Sequence, residues 1–131
     1  MTRLLYMGLV WCVLIVGTAA AEETHKDYLY FRDANVPPFQ KSREFFDMPN
    51  RPGQYVITLV SDDVGPLTFR ILRVEEDAEV LIKQHRSYNL KNHEFMMRFE
   101  NPTGRFDLIV EIANSNPLNR SSVSVIVVEA P

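Results

Sequence analysis

The chain has 131 residues, with 14 Lys and Arg against 17 Asp and Glu, and one cysteine. A mildly acidic surface of mixed sign excludes nucleic acid as the main partner, because counterion release needs a basic face. A lone cysteine excludes an intrachain disulfide framework.

Met1-Thr2-Arg3 is a short basic start, and Leu4 to Val16 is a run of thirteen residues without a charge. Ala19 and Ala21 are the small residues of an A-x-A cleavage site. Residues 1–21 therefore read as a cleavable signal peptide, and the protein is expected to be secreted or periplasmic. Thirteen apolar residues in a helix reach about 20 Å, short of the roughly 30 Å of hydrocarbon a spanning helix must cross. Membrane contact is thus expected only through the leader before cleavage. Cys12 follows Trp11 inside the apolar run, which does not suit a lipoprotein site. Cleavage removes it together with Arg3, leaving 110 residues (131 less 21) with 13 basic and 17 acidic side chains. That length is ordinary for one domain and supports a core without staples. Thiolate metal sites, blue copper included, are excluded from it. His25 sits in the start of this mature chain.

Residues 22–50 form an aromatic-rich segment, with six aromatics in the nineteen residues from Tyr28 to Phe46. A first strand is expected near Tyr28 to Arg32. Val36 is pushed toward extended geometry by Pro37-Pro38, and Ser42 to Phe46 reads as one helical turn. Two roles compete for these rings. They cap one end of the fold, or an exposed set docks a protein or stacks on sugar. Tyr30, Phe39 and Phe45 are the residues chosen for that contact, and their exposure decides between the roles.

Residues 51–131 carry the period of strands. Tyr55 to Val60 is rich in β-branched residues, and Asp62 to Pro66 is a turn cluster leading into Leu67 to Val74, so the two runs read as a hairpin. Glu79 to Gln84 follows the acidic run Glu75-Glu76-Asp77. Phe95, Met97 and Phe99 alternate with Glu94 and Arg98. Phe106, Leu108, Val110 and Ile112 share a face opposite Asp107 and Glu111, and Val123, Val125 and Val127 close the chain. Six strands plus one in the aromatic segment predict a single antiparallel β-sandwich of about seven strands, immunoglobulin-like or jelly-roll-like. Pro52-Gly53-Gln54-Tyr55-Val56-Ile57-Thr58-Leu59 and Gly104 to Val110 resemble the strand openings of secreted jelly-roll accessory modules. Asn101 to Phe106 is similar to the N-P-T-T-G-F loop of chagasin-type protease inhibitors. That family's glycine-rich and R-P-W loops do not follow Phe106, and the segment is read as a type I turn.

His85 and His93 flank a polar loop near Met96 and Met97. If their strands pair, the two rings face one another and offer imidazole nitrogens to a metal such as copper. The carboxylates of Glu75 to Glu79 and Asp62-Asp63 lack any calcium-loop spacing and read as solvated turns. Asn119-Arg120-Ser121 is a glycosylation sequon, relevant in a eukaryotic host only. No nucleophile–base or phosphate-loop motif is present, so no enzyme and no cofactor is expected. The sequence points to an exported, non-catalytic module acting on protein partners in the export compartment. The alternative is a small-ligand binder, for carbohydrate or for metal through His85 and His93.

Overall fold

The computed structural model describes residues 28–131. The expected leader over 1–21, Cys12 and His25 lie outside the described residues. Eight antiparallel strands make the fold: β1 (Tyr28–Val36), β2 (Lys41–Phe46), β3 (Gly53–Ser61), β4 (Leu67–Glu75), β5 (Ala78–Ser87), β6 (His93–Asn101), β7 (Phe106–Asn114) and β8 (Ser121–Glu129). One sheet, sheet A, has the order β1-β8-β3-β6, and the facing sheet B has the order β2-β7-β4-β5. Two four-stranded sheets interleaved in this way are a jelly roll, in which the chain crosses between the sheets at almost every connection.

The inward positions are those the alternation predicts. Tyr55, Ile57 and Leu59 of β3, Phe95 and Phe99 of β6, and Val123, Val125 and Val127 of β8 pack against Leu67, Phe69 and Ile71 of β4 and Leu108, Val110 and Ile112 of β7. Each such side chain contributes about 1.5–3 kcal/mol on burial.

Three expectations change. The strand count is eight because Ser42 to Phe46 extends as β2 instead of turning as a helix. It pairs with β7 from Lys41↔Ala113 to Phe46↔Leu108. Its period of two is hidden in the sequence because only Phe46 is an apolar inward residue, while Glu44 is partly shielded and lies 3.6 Å from Arg32. Next, β3 and β4 are not a hairpin. They lie in opposite sheets, and residues 62–66 arch across the end of the sandwich. The arch is held from both sides. The backbone N–H of Asp63 donates to Ser61 Oγ (3.2 Å), and Asp63 Oδ2 accepts from the Ser122 N–H (2.6 Å). Among consecutive strands, β4 and β5 alone are hydrogen-bonded neighbours. Finally, β5 and β6 do not pair, since each is the edge strand of a different sheet.

Asparagines close both ends. Asn114 Nδ2 donates to the carbonyls of Val36 (3.1 Å) and Asn119 (2.8 Å), and Asn116 Oδ1 accepts from the N–H groups of Leu118 and Asn119. At the other end Asn101 bonds both the N–H and the carbonyl of Phe106. Buried amides fully engaged in this way satisfy loop backbone that no strand partner reaches.

Candidate functional site

The three contact residues expected from sequence are placed apart. Tyr30 faces inward on β1, tilts against Phe46 at 5.4 Å between ring centroids, and donates its hydroxyl to the Asp47 carbonyl. Phe39 is 72% exposed at the turn between β1 and β2, with a backbone φ of 57°. Phe45 is 51% exposed on the outer face of sheet B. Six residues of near-extended chain separate the last two, roughly 20 Å. The exposed rings therefore do not form one patch.

The histidines are likewise engaged separately. His93 is buried, and its Nε2–H donates to the Asp63 carbonyl at 2.8 Å. A carbonyl can only accept, so in the neutral ring Nδ1 is the acceptor for Ser87 Oγ–H at 2.6 Å. Both ring nitrogens are used to tie the β5 end and the 62–66 arch to β6. His85 instead stacks on Phe95, with centroids 5.2 Å apart and planes 12° apart. It seals the seam between edge strands β5 and β6. The shared metal position imagined from a paired hairpin is not the arrangement found.

Two surfaces stand out. On the outer face of sheet B, Arg43 of β2 forms an ion pair with Glu79 of β5. These strands are the two edges of the sheet, and three flat strand spacings would hold them about 14 Å apart. Long Arg and Glu side chains can reach toward one another across that distance, and the register shift at Ile71/Leu72 marks a bulge in the pairing with β5. The side chains of the edge strands thus wall a trough. Its floor holds Leu72 and Ile109, both buried although they point away from the core, together with Glu111 at only 5% exposure. Glu111 accepts from Arg70 Nη1 at 3.1 Å and lies 3.5 Å from Arg43 Nε and 3.8 Å from Lys41 Nζ. Phe45 and Leu81 form half-exposed walls.

The outer face of sheet A has a different character. Pairing registers Phe31↔Ile126, Ile126↔Thr58 and Thr58↔Met96 form one row that crosses all four strands. The row below it is Tyr28, Val128, Val56 and Arg98, and the row above it is Asp33, Ser124, Val60 and Glu94. The row's ends are open to solvent, with Phe31 at 55% and Met96 at 59% exposure. An antiparallel sheet whose second face meets water is expected to be polar there. This one carries Val56, Val60, Ile126, Val128, Phe31 and Met96. The sequence held the signal. Tyr55 to Leu59 and Val123 to Val128 are almost continuous in apolar residues, the pattern of a strand covered on both faces, yet they were read only for their inward half. No sequence signal pairs Arg43 with Glu79, because which strands share a sheet depends on partners far apart in the chain.

No protein-family model matches the chain, and no curated protein matches it by sequence. Solved structures do resemble it. The Yersinia pseudotuberculosis-derived mitogen aligns with 76% of this chain and 83% of its own at 15% identity and a TM-score of 0.53. PirA aligns with 77% of this chain and 94% of its own at 17% identity and a TM-score of 0.54. The enzymatically active domain of bacteriophage CBA120 tailspike protein 4 aligns over 75% of this chain and 15% of its own, at 11% identity and a TM-score of 0.51. Likeness at these identities shows the β-sandwich fold alone.

Proposed function

We propose that this is an exported, non-catalytic β-sandwich module that acts by protein–protein contact, and that the outer face of sheet A is its contacting surface. The observation that carries the reading is the Phe31–Ile126–Thr58–Met96 row with its neighbours Val56, Val60 and Val128, a face that is apolar apart from Thr58 and open at both ends. Exposed apolar faces of this extent, rimmed by charge, mark interaction surfaces in soluble proteins. The rim here is Asp33, Glu94 and Arg98. The aromatic contribution comes from Phe31, while the contact roles first given to Tyr30, Phe39 and Phe45 have no common surface to support them. The test compares proteins retained in the export compartment by the wild type and by Phe31→Ser/Met96→Ser. The reading expects specific proteins, a second copy included, to be lost with the variant. Identical retention would contradict it.

A second reading has its own observation. The sheet B trough offers the guanidinium of Arg43, the half-exposed carboxylate of Glu79 and half-exposed Phe45. Guanidinium donors, a carboxylate acceptor and an apolar ring together suit a polyhydroxylated ligand such as an oligosaccharide. Calorimetric titration with soluble oligosaccharides tests it. Heat lost in Phe45→Ala supports the trough, and no heat from any of them argues against it.

A further inference from the structure

Resting on the reading of sheet A as a protein-contact face, we infer that its partner is a second copy of the same chain, docked about a two-fold axis. The axis runs across the strands along the Phe31–Met96 row. Face-to-face packing of two sheets with strands nearly aligned is the ordinary way to cover an apolar sheet face, and an isologous contact needs a face complementary to itself.

The charges choose the axis. Glu94 and Arg98 stand two residues to either side of Met96 on the same face of β6, each about 7 Å along the strand from it. A two-fold across the strands at Met96 lays Met96 on its own image, Phe31 on its own image and Val60 on Val56. It brings Glu94 of each copy onto Arg98 of the other, twice per dimer. The alternative two-fold, along the strands, sets β6 of one copy over β1 of the other. That places Glu94 against Asp33, which occupies the same level of the sheet. Like charges opposed at an interface rim act against association. The first axis pairs Glu94 with Arg98 and leaves Glu100, four residues from Met96, outside the patch, whereas the second opposes two carboxylates.

The area sets the strength. Four strands at about 4.8 Å and some five residues at about 3.3 Å give a plane roughly 19 by 17 Å. Such a patch falls at or below the low end of specific interfaces, so the dimer forms with a dissociation constant in the micromolar range, not the nanomolar one. Arg98 Nη1 already donates to Gln54 Oε1 at 2.9 Å, which holds the guanidinium at the rim without removing its other donors.

The test is sedimentation velocity on the exported protein, over a dilution series from about 5 to 500 µM, bracketing the expected affinity. Wild type should show a reversible monomer–dimer equilibrium. Glu94→Arg and Arg98→Glu should each weaken dimerisation about tenfold or more, since every change occurs twice in a symmetric contact. The double variant E94R/R98E should return to within about threefold of wild type, because the reversed pair is again complementary. Far-ultraviolet dichroism confirms that these exposed variants remain folded. A monomer throughout the series overturns the inference, as does a double variant no tighter than the singles. A photo-crosslinker at position 96 separates this failure from failure of the underlying reading. An adduct of twice the chain mass supports the second copy. An adduct with another protein overturns self-association and leaves the face a contact surface, and no adduct overturns both.

Discussion

Arg43, on edge strand β2, closes onto Glu79, on the opposite edge strand β5, over the outer face of a sheet whose two inner strands lie between them. The pair spans the outer face of sheet B, and beneath it Glu111 is nearly hidden from water although the described residues supply no third layer. The two sheets thus present unlike exteriors. Sheet B has its charges compensated, whereas among the described residues sheet A carries a largely apolar row open to solvent at Phe31 and Met96.

Glu111 is the keystone of the trough. Its carboxylate faces Arg70, Arg43 and Lys41, whose own side chains are a third to three-fifths exposed. Removing the carboxylate leaves three cations facing each other without their shared acceptor. Glu111→Ala is expected to cost about 1–3 kcal/mol, less than for fully buried ion pairs because the cations can turn to water. Urea unfolding measures it. The isosteric Glu111→Gln should recover part of the loss through its retained acceptor oxygen.

Tyr55 is buried near the start of β3, and among the described residues its hydroxyl meets no hydrogen-bond partner. Burial, with the Glu129 carboxylate adding to it, pushes its ionisation above the usual 10.0 of tyrosine. The unfolded chain therefore loses this proton first as pH rises. The contribution to stability is complete below about pH 10 and is lost as pH climbs toward the folded value. Tyr55→Phe should be neutral or stabilising by up to about 1–2 kcal/mol near pH 7, and its stability should fall less between pH 9 and 11. Denaturant midpoints across that range check both statements.

His93 joins β6 to the 62–66 arch and to the end of β5 through two hydrogen bonds of 2.8 and 2.6 Å. His93→Ala leaves Ser87 Oγ and the Asp63 carbonyl without that ring and opens a void, so a loss of about 2–4 kcal/mol is expected. His85 stacks at an open edge, and His85→Ala should cost well under half as much. Thermal unfolding of both variants checks the order. Equimolar zinc should leave the wild-type midpoint unchanged, because both ring nitrogens of His93 are already committed to hydrogen bonds and a pair of histidine ligands is not on offer.

Gly104 holds φ at 72°, and a β-carbon there would stand 2.6–2.7 Å from the backbone N, Cα and C of Arg51. Neither the dihedral nor the space admits a side chain. Gly104→Ala is expected to cost about 2–4 kcal/mol. Gly53→Ala, whose β-carbon would meet only the tip of Tyr55 at 3.0 Å, should cost less. Paired urea curves decide the ranking.

The inward halves of β3, β4, β6, β7 and β8 were legible in sequence because each keeps a period of two over three or four apolar residues. β2 was not, since Lys41, Arg43 and Glu44 mask a strand anchored by Phe46 alone. The arch after Ser61 looks like a hairpin turn because turn residues report a reversal of direction, not the sheet to which the next strand belongs. The relation of His85 to His93 is hidden for the same reason: it depends on which sheet each edge strand joins. The sheet A face was written in the apolar runs of β3 and β8 but becomes a surface only when register aligns Phe31, Ile126, Thr58 and Met96. The trough needed more, because its wall rests on Arg43 and Glu79, 36 residues apart.

The most direct measurement sets two photo-crosslinkers against each other in living cells, one at position 96 on sheet A and one at position 81 in the trough wall. Contact through the sheet A face predicts protein adducts from position 96, with few or none from position 81. Adducts confined to position 81, or none from position 96, would contradict it.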